Sequence, residues 1–208
     1  NHQKPTEMNF ISKGPLRLIC IVFLFGATLP AAVLQAQTSI SDYVLFGGKQ
    51  AAGQTTPAAP GYGVLIGTSC QLQATIQGGG LGSVGSYNLV KSTGALTVNG
   101  NIYSGGTIQL FSGNVVKGNL SAGLSPVGVP GTVIAAGTGT ILGINGNPLT
   151  GNITANGKVT VAGGTIYGKV TLPTPSSVYP YTGPAPAGGV VYGSPVLPGL
   201  PALPPITA

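Results

Sequence analysis

The chain has 208 residues, of which 42% are hydrophobic and only 5% charged, with 36 glycines and 18 prolines; ordinary globular domains carry about 25% charge. The formal charge of +6 is spread thinly and the only arginine, Arg17, lies near the N-terminus. No cluster exists to grip phosphates, which excludes nucleic acid as a partner.

Residues 1–37 read as upstream residues followed by a secretory signal peptide. Asn1 to Glu7 precede Met8, the expected start. Lys13 and Arg17 form a basic region, and the run from Leu18 to Leu29 forms an apolar core. Small residues in Ala31-Ala-Val-Leu-Gln-Ala-Gln37 place cleavage near Ala36 or Gln37. The alternative is a retained anchor, since an apolar run reaching Leu34 approaches the ~17 residues that span a bilayer. Pro30 breaks that run. Cleavage is therefore the expectation, with a secreted or cell-surface location and no membrane contact afterwards. Cys20 leaves with the leader and Cys70 stands alone, so the mature chain can form no internal disulfide. Cys70 reads as a small buried hydrophobe.

Residues 38–94 are expected to form an N-terminal β cap that closes the open end of a stacked array. Ser39 to Phe46 is a strand-like run, and a Gly/Ala/Pro loop follows from Lys49 to Pro60. Tyr62–Ile66 and Gln71–Ile76 are the next strands, the second alternating polar and apolar residues. Glycines at 78–80 and 82 break the chain before Tyr87–Val90.

Residues 95–172 carry an internal repeat. Gly100, Asn101, Ile102, Gly106, Ile108, Leu110 and Gly113 map at a constant offset onto Gly151, Asn152, Ile153, Gly157, Val159, Val161 and Gly164. After one deletion, Gly118 and Leu120 map onto Gly168 and Val170. Each copy holds three short β-branched pulses separated by Gly or Asn. That is one coil of a triangular β-solenoid. β-Branched residues suit the stacked interior, and Gly and Asn suit the corners. Thr132 to Ile144 continues the ladder, Asn145 to Pro148 is a turn, and Ser121 to Gly131 is a loop leaving the solenoid. The predicted fold is all-β, a short right-handed parallel β-solenoid (β-helix); the alternative is an antiparallel β-sandwich with glycine turns.

The stretches Gly100–Leu120 and Gly151–Leu172 resemble the bactofilin-like, polymer-forming β-helix proteins, with their Gly-x-Ile/Val pattern and regular glycine corners. They are also similar to stretches of secreted, repeat-rich bacterial surface and adhesin proteins. The resemblance implies a β-helix and a tendency to self-associate.

Residues 173–208 contain ten prolines. Proline lacks an N–H and fixes φ, so this part reads as a Pro-rich linker that leaves the β-ladder. Together with the residues before Met8, it suggests a segment of a longer protein.

Past residue 37 there is no His, Arg, Trp or Glu, and Asp42 is the only acid. Paired carboxylates, a Ser-His-Asp triad and His/Cys metal cages cannot be built from this set. No catalytic residue, cofactor or metal ligand is expected, and the chain does not read as an enzyme. The sequons at Asn119-Leu-Ser121 and Asn152-Ile-Thr154 read as structural corners. Candidate surface contacts are Thr154, Thr160, Thr165, Thr171, Tyr103 and Tyr167. The expected function is an exported structural or adhesive surface-protein segment, with a stalk-like solenoid. Alternatives are a glycan- or ice-binding solenoid face, or a self-polymerising bactofilin-like scaffold. The expected partner is the chain itself or an extracellular polymer such as a glycan.

Overall fold

The computed structural model describes residues 42–47, 63–67, 70–72, 82–111, 113–124 and 130–201. The leader and its cleavage residues Ala36 and Gln37 lie outside the described residues. The described strands wind into successive coils. The first coil is β1 (Tyr43–Gly47), β2 (Gly63–Ile66) and β3 (Cys70–Leu72), and the second is β4 (Ser83–Ser86), β5 (Leu89–Ser92) and β6 (Leu96–Val98). The third is β7 (Ile102–Ser104), β8 (Thr107–Leu110) and β9 (Val115–Val116), and the fourth is β10 (Leu120–Ala122), β11 (Val133–Ala135) and β12 (Thr140–Leu142). The fifth is β13 (Ile153–Ala155), β14 (Val159–Val161) and β15 (Gly164–Ile166). The sixth holds β16 (Val170–Pro173) and β17 (Tyr181–Thr182), and β18 (Val190–Gly193) starts the next turn.

Every third strand joins the same sheet, which gives three sheets with the orders β1-β4-β7-β10-β13-β16-β18, β2-β5-β8-β11-β14-β17 and β3-β6-β9-β12-β15. All ladders between named strands are parallel. The chain is a parallel β-solenoid; the antiparallel sandwich is overturned by this pairing.

The core is a set of columns. In the first sheet Val84, Ile102, Leu120, Ile153 and Val170 stand in register and are fully buried. In the third sheet Val98, Val116, Leu142 and Ile166 do the same. Strands as short as β7 alternate buried and half-buried residues, because successive side chains point to opposite faces. The glycine corners have a packing reason. A Cβ on Gly168 would meet the backbone of Gly151 and Asn152 in the coil below, so a larger residue would prise the coils apart.

Two sequence boundaries are corrected. Within 38–94, the described strands β1 to β5 lie in the same sheets as the repeats. Long insertions hide the period there, since Leu45 and Val84 are stacked neighbours in register although 39 residues apart. The repeat offset likewise spans two coils: Ile102, Leu120, Ile153 and Val170 follow one another at spacings of 18, 33 and 17 residues.

Residues 173–208 do not leave the ladder at Pro173. Tyr181–Thr182 pairs with β14, and Val190–Gly193 pairs with β16. Proline has no N–H but keeps its carbonyl, and the ladder uses it: Val159 N–H donates to Pro180 O at 3.2 Å. An end coil needs partners along one edge only. Prolines fit there.

The columns make a direct prediction. Ile153→Ala removes a side chain stacked between Leu120 and Val170, so denaturant unfolding is expected to show a loss of about 2–5 kcal/mol. Thr154→Ala, on the outward side of the same strand, is expected to stay within about 0.5 kcal/mol. A loss at Ile153 no greater than that at Thr154 would contradict the stacked core.

Candidate functional site

The four candidate threonines do not share a face. Thr154 and Thr171 are neighbours on the first sheet, Thr160 lies on the second and Thr165 on the third. A flat ladder of threonines needs repeated rungs on one sheet. On the first sheet the outward row runs Gly85, Tyr103, Ser121, Thr154, Thr171 and Val191, which is chemically mixed.

Tyr103 is no free surface contact. It packs against a second hydrophobic cluster, outside the first sheet, in which Tyr87, Leu124, Leu197 and Leu200 are buried. Tyr43 stands edge-on to Phe46 and to Tyr103 at 4.9 and 5.7 Å between ring centroids, and Phe46 is edge-on to Tyr87 at 5.0 Å. Such edge-to-face pairs add to the burial of the rings. Gly85 makes room for them: a Cβ there would run into the rings of Tyr43 and Phe46.

Leu197 and Leu200 come from the Pro-rich segment. The Tyr87 hydroxyl donates to the carbonyl of Pro201, so the chain returns from β18 to the level of β4. Five strand spacings separate these levels. At about 4.8 Å per spacing and about 3.3 Å per extended residue, residues 194–201 just cover the distance. This segment is a strap along the first sheet.

Burial raises the pKa of the Tyr103 hydroxyl above its ordinary value of 10.0; the hydrogen bond from Asn101 lowers it and the charge of Asp42 raises it. Burial raises that of Tyr181 as well.

The sequon asparagines form a ladder at the corner before the first sheet. Asn119 N–H donates to Asn101 Oδ1 at 2.8 Å, Asn152 N–H to Asn119 Oδ1 at 2.9 Å, and Lys169 N–H to Asn152 Oδ1 at 3.0 Å. Ser83 holds the same place one coil earlier, accepting from Asn101 N–H at 3.2 Å. Each carboxamide caps the backbone of the next coil.

Tyr167 is the candidate that reaches open space. It follows β15 at a corner, where its N–H donates to Leu142 O at 2.9 Å. Beside it stands the turn inserted between β12 and β13. Asn147 N–H donates to Ile144 O at 3.0 Å, Leu149 N–H to Asn147 Oδ1 at 3.1 Å, and Ile144 N–H to Thr150 Oγ1 at 2.9 Å. These bonds fix the turn. On the other side the chain before β18 is tied down by Ala187 N–H to Ile166 O and Gly188 N–H to Gly168 O, both at 2.9 Å. Asn145, Asn147, Pro148, Tyr167, Ala187 and Gly188 line an open groove of about 320 Å³, near the lower end of the range for small-ligand sites.

Asn145 and Asn147 read in the sequence only as turn residues. The signal for their role was in the register: Leu142 pairs with Ile166, so the residues that follow each strand, the turn and Tyr167, must be neighbours. No group of three or more His, Cys, Asp or Glu stands together among the described residues. No family model, curated protein or solved structure matches the chain.

Two measurements check this arrangement. Asn119→Ala orphans the Asn152 N–H and is expected to cost about 1–3 kcal/mol in chemical unfolding, with Asn119→Asp, which keeps an acceptor, costing less. The second concerns alkali. A folded pKa above 10.0 means that the neutral phenol is favoured in the fold. Its contribution is intact below pH 10 and is lost as the pH rises through the folded value. Melting temperature is expected to fall above pH 10, and Tyr103→Phe is expected to flatten that fall. An unchanged slope would show that Tyr103 is not desolvated.

Proposed function

We propose that the protein is an exported, non-enzymatic scaffold that projects a binding end away from its point of attachment. One observation carries this reading: the described chain starts at β1 and by Pro201 has come back beside the second coil. Phe46 in β1 packs against Tyr87, and the Tyr87 hydroxyl binds Pro201. A stalk spliced in series needs the chain to enter at one end and leave at the other. This one runs back along the first sheet as far as Pro201, which favours a module that projects over an in-line stalk. The sixfold stacking supplies stiffness, since each coil is bonded to its neighbours along the whole axis. The Lys13 to Gln37 leader supports export.

End-to-end polymerisation, which the bactofilin resemblance implies, is less well supported. The last rung of the second sheet is only Tyr181–Thr182, between Pro180 and Pro184, and the third sheet stops one coil earlier. Short, proline-flanked edges discourage strand addition.

An epitope inserted at Gly146, in the exposed turn remote from β1, tests the reading. Antibody is expected to bind intact, unpermeabilised cells that express the full chain, or the secreted chain in the medium. Detection only after lysis would overturn it.

A further inference from the structure

The geometry points to the groove at Tyr167 as a binding site for a neutral saccharide. The inference rests on the projecting-scaffold reading only for where the sugar would be met; the groove itself is a property of the fold. A pyranose ring presents an apolar C–H face and a rim of hydroxyls. Its recognition needs an aromatic surface for the face and amide or backbone groups for the rim.

The groove supplies both. Tyr167 gives the ring, half-buried and held at its backbone by Leu142. Its hydroxyl has no hydrogen-bond partner among the described residues. The Asn145 carboxamide is exposed and likewise has no partner among them. Asn147 uses its Oδ1 on Leu149 N–H, which turns its amide into a fixed donor. Pro148, Ala187 and Gly188 complete apolar walls with little side chain to obstruct a flat ring.

Charge selects the sugar class. None of the lining residues is ionised at neutral pH; Lys169 stands beside Gly188 but outside the lining, so a carboxylate, sulfate or phosphate within the groove meets no built partner, and stripping its water would go unrewarded. Uncharged sugars carry no such penalty. The groove is also open rather than enclosed, as fits a site that meets a residue within a longer glycan chain.

The location adds a second argument. The described tyrosines divide into two sets: Tyr43, Tyr87 and Tyr103 pack beneath or beside the strap, and the rings nearer β16–β18 do not join that cluster. Tyr181 packs against the core, and its hydroxyl donates to Pro184 O. The Tyr192 hydroxyl accepts from Tyr181 N–H at 3.3 Å. Tyr167 alone among these lines the groove with its hydroxyl uncommitted.

Purified full chain is titrated with cellotetraose, chitotetraose, maltotetraose and tetragalacturonate, followed by calorimetry and by tyrosine fluorescence. Binding of at least one neutral tetrasaccharide is expected, with tetragalacturonate weaker. Tyr167→Ala is expected to weaken that binding at least about tenfold, Tyr167→Phe to keep most of it, and Asn145→Ala to fall between. Melting curves of each variant should match the parent, because none of these side chains is in the core columns. Thr160→Ala, on another face, should change nothing. No binding of any neutral probe, tighter binding of tetragalacturonate, or binding untouched by Tyr167→Ala would each overturn the site. These results are independent of the epitope experiment: a chain that is not exported can still bind sugar, and an exported one can fail to.

Discussion

Everything in this structure depends on the hydrogen bonds that run along the solenoid axis. A coil has no partner strand within itself; the N–H and C=O groups of its strands are satisfied by the coils above and below. Ile102, Leu120, Ile153 and Val170 each donate from the start of a strand to the coil that follows, to Asn119, Asn152, Lys169 and Gly189 in turn. Burying unpaired backbone groups would cost more than any one side chain returns. The columns of Val, Ile and Leu follow from this, because stacked backbones bring identical positions to one strand spacing, where β-branched side chains pack well. The asparagine corners follow too. A corner leaves one N–H without a strand partner, and the carboxamide of the coil before supplies it.

The same constraint makes the ends a problem, and the chain answers it with proline. A last coil presents free edge groups that would capture another chain. Residues 173–190 keep carbonyls facing inward to accept from β14 and β16 while limiting the donors on the outer side. The strap then takes the remaining Pro-rich residues along the first sheet and closes the aromatic cluster around Tyr87. One composition serves two purposes: proline blunts the edge, and its preference for extended backbone lets residues 194–201 run straight between distant coils.

The repeat was legible in the sequence because local chemistry sets it. Glycine corners and β-branched pulses appear wherever two coils follow without insertion, as from Ile153 to Val170. The first coils show no period in the sequence because β1 and β2, and β3 and β4, lie farther apart along the chain than later neighbours, while their register in space remains. The place of the Pro-rich segment in the ladder turns on proline's retained acceptor, which its missing donor conceals in the sequence. Leu197 and Leu200, three apart between prolines, were the available sign that this segment has something to bury. Among the candidate site residues, the corners send Thr160 and Thr165 to different sheets from the paired Thr154 and Thr171, whereas Tyr167 gains its surroundings from a turn 20 residues earlier.

What distinguishes the groove from the rest of the surface is how its parts are held. Its walls come from three successive turns of the chain: Tyr167 and Ala187 are fixed by backbone bonds between coils, to Leu142 and Ile166, and the turn at 144–150 by its own local bonds. A site assembled in this way needs no ordering on binding, so little affinity is lost to entropy. With no ionised residue in its lining, the groove offers shape, aromatic surface and amides. Those are the groups that an uncharged, hydroxyl-rich ligand can use, and the doubled-back chain leaves them at the end remote from β1.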